Sequence, residues 1–445
     1  METYVWNLGS IGKGVSRLRR SQAFRGSATN ATYSVAEYLM QPLLMIASTP
    51  FLVHRLGLDL YGIWMLVSAI AGTVGIFGLG MGDATVKYVS AYRGRNDVQA
   101  VIRILRTTLT MSIVAGALAA TLIFLAAPIL AEKVFKIQTQ YQTTALRAIQ
   151  LGGLVLLLRA IDSVFVSVLR AYEKYAPSVR NSVLVRILTV ICALVLVAMG
   201  YGVVAIMVAT TTTTTLGVLL QAGSVRRIIP GVSFAFTLRR DSWLEILSFG
   251  FYTWLQNVAG VIFGQTDRLL IGVFSSTSAV AYYTICVQLA QPVHGLLSAA
   301  FNLLFPHISA RHEAGDARGS QRVYRLAIVV NIVVTILLCA PLVVFGKQIL
   351  SLWMGPRFAT NAYSLLVLLA IAFGILSLNV VPHYTLLALG KARFVSMVNL
   401  AGGALSLIAS AVLIPFLGPL GAAVGRMLYA PATTLSYVKI EKSFL

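Results

Sequence analysis

What this chain lacks first is polar surface. Only 11% of its 445 residues are charged, against 58% hydrophobic, well outside the balance of a soluble domain. Loops between the apolar runs are short, so no sizeable soluble domain fits between them. Acidic charge is scarcer still, with 14 Asp and Glu against 35 Lys and Arg and a net charge of +21. Cysteine is nearly absent: Cys192, Cys286 and Cys339 all fall inside apolar runs, which fits buried hydrophobes rather than a disulfide framework or a metal site. The glycine-rich stretch Gly75–Gly82 follows no strand and leads to no Lys-Ser/Thr pair. That excludes a phosphate-binding loop and points to close packing or a bendable span. No metal-ligand cluster and no nucleophile–base spacing appears, so no catalytic residue and no metal is assigned.

What is present is hydrocarbon-length runs. A bilayer core of about 30 Å needs roughly 20 apolar residues per helix, and the sequence supplies about twelve such runs, from Ala28–Val53 to Leu420–Tyr437. The fold class expected is an all-α polytopic membrane protein. The excess of cations is spread over alternate loops, which argues against nucleic acid and for topology signals. Of the 35 Lys and Arg, 25 fall on the side that holds both termini, six on the other, and four (Arg159, Arg186, Arg268, Arg426) inside spans. Both termini are therefore expected in the cytoplasm, with the chain multi-pass in a bacterial cytoplasmic (inner) membrane. The basic leader, with Lys13, Arg17, Arg19, Arg20 and Arg25, does not read as a cleaved signal peptide.

The second half repeats the first at an offset of about 219 residues. Asp97 falls on Asp316, Arg103 on Arg322, Arg106 on Arg325, Gly202 on Gly421 and Thr214-Thr215-Leu216 on Thr433-Thr434-Leu435. Ala171-Tyr172-Glu173-Lys174 resembles Ala388-Leu389-Gly390-Lys391. Each half holds an even number of spans, so the halves share one orientation and are related by a pseudo-two-fold axis along the membrane normal. The division expected is a basic leader (1–27), an N-lobe of helices 1–6 (28–225), a cytoplasmic linker (226–241) and a C-lobe of helices 7–12 (242–445).

Ionisable groups inside the membrane are functional-site hypotheses by default. Arg159 and Asp162 lie three apart, on one helical face. Arg186 has no acid within a turn on its own helix and suits an anion or, being close to the cytoplasmic end, snorkels. Asp267 and Arg268 are adjacent inside Trp243–Phe274 and point about 100° apart. Arg426 has Met207 as its repeat partner, so symmetry does not explain it. Arg159, Arg186, Arg268 and Arg426 are the candidate substrate-binding residues. Glu37, Asp162 and Asp267 are the candidates for ion coupling or gating, Glu37 together with Asp83 and Lys87. The run Thr210–Thr215 either bonds its own carbonyls or lines a polar cavity. Pro42, Pro292, Pro341 and Pro382 are candidate kinks, and His294, His307 and His383 read as scattered core residues rather than a proton relay.

Several motifs resemble the multidrug/oligosaccharidyl-lipid/polysaccharide (MOP) exporter superfamily, in its polysaccharide-transporter branch of Wzx-type O-antigen and exopolysaccharide flippases. They are Gly57-Leu58-Asp59-Leu60-Tyr61-Gly62-Ile63-Trp64, Gly78-Leu79-Gly80 leading to Lys87-Tyr88-Val89-Ser90, Thr266-Asp267-Arg268-Leu269-Leu270-Ile271-Gly272, Ala279-Val280-Ala281-Tyr282-Tyr283, and Phe305-Pro306-His307-Ile308-Ser309. The resemblance implies two MATE-like six-helix lobes around a V-shaped cavity. It also implies a transporter rather than an enzyme, flipping an undecaprenyl-diphosphate-linked oligosaccharide from the cytoplasmic to the periplasmic leaflet by alternating access. No cofactor is expected; coupling to a Na+ or H+ gradient is left open. The partners implied are the lipid-linked glycan, the bilayer, and polysaccharide polymerase and chain-length machinery, around a monomer and without nucleic acid. The rivals are a cation-coupled multidrug exporter of the same fold, a lipid II flippase, and a membrane glycan polymerase or ligase.

Overall fold

The computed structural model describes residues 40–73, 81–237, 264–302 and 304–444, with single positions at 243, 246, 254 and 258. Among the described residues every regular element is helical. The first half comprises α1 (40–56), α2 (Leu58–Gly72), α3 (Met81–Gly94), α4 (Val98–Ile129), α5 (Thr139–Ala171), α6 (Tyr175–Ala198) and α7 (Val203–Ile228). The second comprises α8 (264–274), α9 (Thr277–Phe301), α10 (Leu304–Glu313), α11 (Ala317–Val344), α12 (Gly346–Met354), α13 (Pro356–Leu378), α14 (Val380–Ala388), α15 (Ala392–Leu417), α16 (Pro419–Met427) and α17 (Ala430–Phe444). Seven helices among the described residues are long and apolar enough to cross a membrane. The fold is all-α and polytopic.

Several of the expected spans are broken. The run Tyr363–Leu389 is α13 and α14, parted at Asn379, and Leu420–Tyr437 is α16 and α17, parted at Leu428-Tyr429. A break inside a membrane frees carbonyls that hydrocarbon cannot satisfy. Here the Tyr437 hydroxyl donates to the Leu378 carbonyl at 2.9 Å.

The repeat is visible in backbone detail. α2 and α9 begin 219 residues apart, as do α4 and α11, whereas α6 and α15 begin 217 apart. Asp97 and Asp316 each cap the helix that follows, accepting from Ala100 N at 2.9 Å and Gly319 N at 2.8 Å. Such caps satisfy one of the orphan donors of a first turn. The residue before each cap is left-handed: Asn96 at φ 56° and Gly315 at φ 74°, types that adopt this region at low cost. The turn at Glu173 (φ 59°) is matched by Gly390 (φ 72°). These short turns, with Arg93 and Arg95, Arg170 and Lys174, Arg311 and Arg318, and Lys391 and Arg393 beside them, mark a cation-rich end of both lobes. Arg93 ties two of them together in the first lobe, donating to the Ala171 carbonyl at 2.6 Å and pairing with Glu173 at 3.0 Å.

The Thr210–Thr215 run has a structural role. All six hydroxyls donate to carbonyls four residues earlier, at 2.7 to 3.0 Å.

Candidate functional site

The turn between α5 and α6 fixes the depth of two arginines. Arg159 lies twelve residues before the last residue of α5, and Arg186 eleven after the first of α6. At about 1.5 Å per residue both sit roughly 16–18 Å in from the cation-rich end, inside the hydrocarbon even where about 10 Å of helix overhangs a core of about 30 Å. α6 starts at Tyr175, so Arg186 lies about three turns into its helix.

Arg159 lies two turns from Gly152, within about 20° on the helix. Gly152 packs on Val67 of α2, the helix that meets the second lobe. Arg159 therefore lies on the α2 side of α5. Its side chain is exposed although its helix position is central, and Arg186 and Asp162 both act on its charge. Among the described residues Arg159 makes no ion pair.

The second lobe carries the same inventory of charge in a different state. Asp267 on α8 is 3% exposed and forms an ion pair with Arg426 of α16. The Tyr283 hydroxyl of α9 donates to the same carboxylate at 2.5 Å and accepts from the Arg426 Nε at 2.9 Å. Phe373 of α13 covers the guanidinium, its ring centroid 5.1 Å away. Asp267, Arg426 and Tyr283 lie six or seven residues from the ends of their helices, about 9–11 Å in from the end opposite the cation-rich one. Arg268, next in sequence, is half-buried and donates to Gln265 Oε1 at 3.3 Å. It lies within the field of Arg426, Tyr283 and Tyr61.

The lobes meet at that same far end. The Thr277 hydroxyl donates to the Asp59 carboxylate at 2.7 Å. Gln288 joins the Tyr61 hydroxyl at 3.0 Å and the Thr49 hydroxyl at 2.9 Å, and the Trp353 indole donates to the Ile46 carbonyl at 3.0 Å. Gly62 presses so closely on the Thr277 carbonyl that any Cβ would overlap it. Together these contacts seal the two lobes.

Of the predicted residues, the structure brings Arg159, Arg186 and Asp162 together in one lobe and Arg268, Arg426 and Asp267 in the other. Glu37 lies outside the described residues, as do 74–80 of the glycine-rich span. His294 lies within the field of His383 and Arg426, and His383 Nδ1 meets the Asn399 amide at 3.1 Å; His307 is exposed elsewhere on α10. Tyr283, Gln288, Thr49 and Thr277 were missed. A hydroxyl or amide in an apolar run carries no signal of its partner, but Asp59, a carboxylate at a helix start inside Gly57–Trp64, was a signal that could have found this contact.

A family model described as polysaccharide biosynthesis protein matches residues 60–363. A protein of Shigella flexneri named as a putative O-antigen transporter is 20% identical over 379 residues, covering 84% of this chain and 87% of that protein. Among solved structures, the lipid II flippase MurJ in an inward closed conformation superposes with a TM-score of 0.77 at 12% identity, over 92% of this chain and 87% of that one. An inward-facing MATE-family multidrug resistance transporter superposes with a TM-score of 0.75 at 14% identity, over 93% and 98%.

Proposed function

Because the chain belongs to the polysaccharide biosynthesis protein family, we propose that it is a flippase for a lipid-linked glycan, carrying an undecaprenyl-diphosphate-linked oligosaccharide from the cytoplasmic to the periplasmic leaflet. It is a transporter rather than an enzyme. The observation that carries this reading is the pair Arg159 and Arg186, two cations at similar depth within their helices, close enough for Arg186 to act on the charge of Arg159, with Arg159 on the α2 side of α5. Two like charges so placed repel, and with Asp162, which also acts on Arg159, the set still carries one net positive charge. A diphosphate supplies the opposite charge and accepts charge-assisted hydrogen bonds from a guanidinium. The lipid tail stays in the bilayer while the headgroup passes between the lobes, and rocking about the sealed end alternates access.

The 25 cations on the terminal-bearing side orient the cation-rich end to the cytoplasm, so the seal closes the periplasmic end.

The experiment is a glycan-export assay in cells lacking the native gene, with membrane protein levels matched. Arg159→Ala and Arg186→Ala are each expected to lower export on the order of tenfold, the equivalent of one lost charge-assisted bond. Export at the native level in both variants would remove the anion site.

A further inference from the structure

A groove of about 560 Å³ runs down the first lobe between α4, α5 and the start of α7, a volume that holds a drug-sized ligand. Arg147, Gln150, Leu151 and Leu154 form its floor, a stripe at helical spacings of three, four and seven. Phe124 and Thr121 of α4 form one wall. Phe124 is 53% and Leu154 42% exposed, so the groove is open along its length, and it lies at the end where the lobes are sealed to one another.

Depth separates its polar and apolar parts. α5 has 33 residues and is about 50 Å long at 1.5 Å per residue. Against about 30 Å of hydrocarbon it overhangs by roughly 10 Å at each end. Arg147, eight residues into α5, lies about 12 Å from its start, where headgroups meet acyl chains. Leu154 lies about 22 Å in, well inside the hydrocarbon. Arg147 is exposed, and among the described residues it makes no ion pair.

We propose that this groove binds one anionic phospholipid of the leaflet at the sealed end. Its phosphodiester is held by the Arg147 guanidinium and the Gln150 amide, and one acyl chain lies against Phe124, Leu151 and Leu154. A lone cation at the headgroup boundary above an apolar channel has the charge and polarity profile of such a lipid. The site is separate from that of Arg159, because Arg147 and Arg159 point about 120° apart on α5. It would brace α4 against α7 while the lobes move.

The test is native mass spectrometry of the full chain extracted from membranes in mild detergent. Wild type is expected to keep one phospholipid-mass adduct. Arg147→Gln should lower its occupancy about tenfold, Arg147→Lys should retain it, and Lys347→Gln, which removes an exposed cation from the same end but outside the groove, should leave it unchanged. Leu154→Trp, filling the apolar part, should expel the lipid with Arg147 intact, and it decides the matter if Arg147→Gln does not purify as a single species. No adduct on wild type, equal occupancy in Arg147→Gln and Leu154→Trp, equal loss in Lys347→Gln, or an adduct with the mass of a polyprenyl-linked glycan would each overturn the proposal. None of these results depends on glycan export, so failure here leaves the flippase reading standing.

Discussion

In the first lobe Arg159 and Arg186 share a neighbourhood with Asp162; in the second, Arg268 and Arg426 share one with Asp267. Each set sums to one positive charge, yet they sit at different depths and in different company. Arg426 is consumed by its carboxylate, its tyrosine and its phenylalanine, near the end where the lobes are pinned together. Arg159 is exposed, on the α2 side of α5. Charge within the helices is therefore held in two ways: one arginine joins α8, α9 and α16, and the other makes no ion pair among the described residues.

The hardest way to break this comparison is at Arg426. Removing one partner of a buried ion pair strands the other and costs about 3–5 kcal/mol. Arg426→Ala is expected to lose that much stability, read as a lowered thermal midpoint in detergent. Asp267→Asn combined with Arg426→Met should recover most of it, since replacing both charges by neutral groups is often near neutral. A transport defect that persists in the double variant at full stability would mean that Arg426 meets substrate after all.

Arg159 sharpens the contrast with a smaller effect. Arg159→Lys keeps the charge and loses the planar fork that matches a phosphate. Export is expected to fall a few-fold, less than for Arg159→Ala, while the thermal midpoint stays at the wild-type value. A fall in the midpoint comparable to that of Arg426→Ala would make Arg159 a structural residue too.

The sequence made some of this legible and hid the rest for identifiable reasons. The caps at Asp97 and Asp316 are local, so their register survived as a sequence repeat. The start of α6 at Tyr175 was in principle readable from the turn at Glu173-Lys174. Hydropathy blurred it, because the polar first turn Tyr175-Ala176-Pro177-Ser178 does not look like membrane helix. The breaks at Asn379 and Leu428-Tyr429 leave no mark in hydropathy, which sums side chains and ignores backbone. The Asp267–Arg426 bond joins residues 159 apart in sequence, and their adjacency depends on how α8 and α16 pack. Each charge was identifiable; which of them were already taken was a tertiary fact.

The mildest intervention is at the seal, where the second lobe touches the first through single hydrogen bonds rather than an ion pair. Thr277 donates to Asp59 at 2.7 Å, a bond to a charged acceptor worth about 1.5–3 kcal/mol at most and less where water replaces it. Thr277→Val preserves the shape and removes the donor. Because Asp59 is half-buried, water takes over part of its solvation, and the net loss should be about 1 kcal/mol, roughly a fivefold shift toward separated lobes. Spin labels at Leu58 and Ser278, on the first turns of α2 and α9, would report it as a longer-distance population. Arg426→Ala should leave that population unchanged in molecules that remain folded, because its network lies within the second lobe. If Thr277→Val leaves the distance distribution as in wild type, the seal is held by the Gly62 contact and the Gln288 bonds instead, and the lobes part only when those yield.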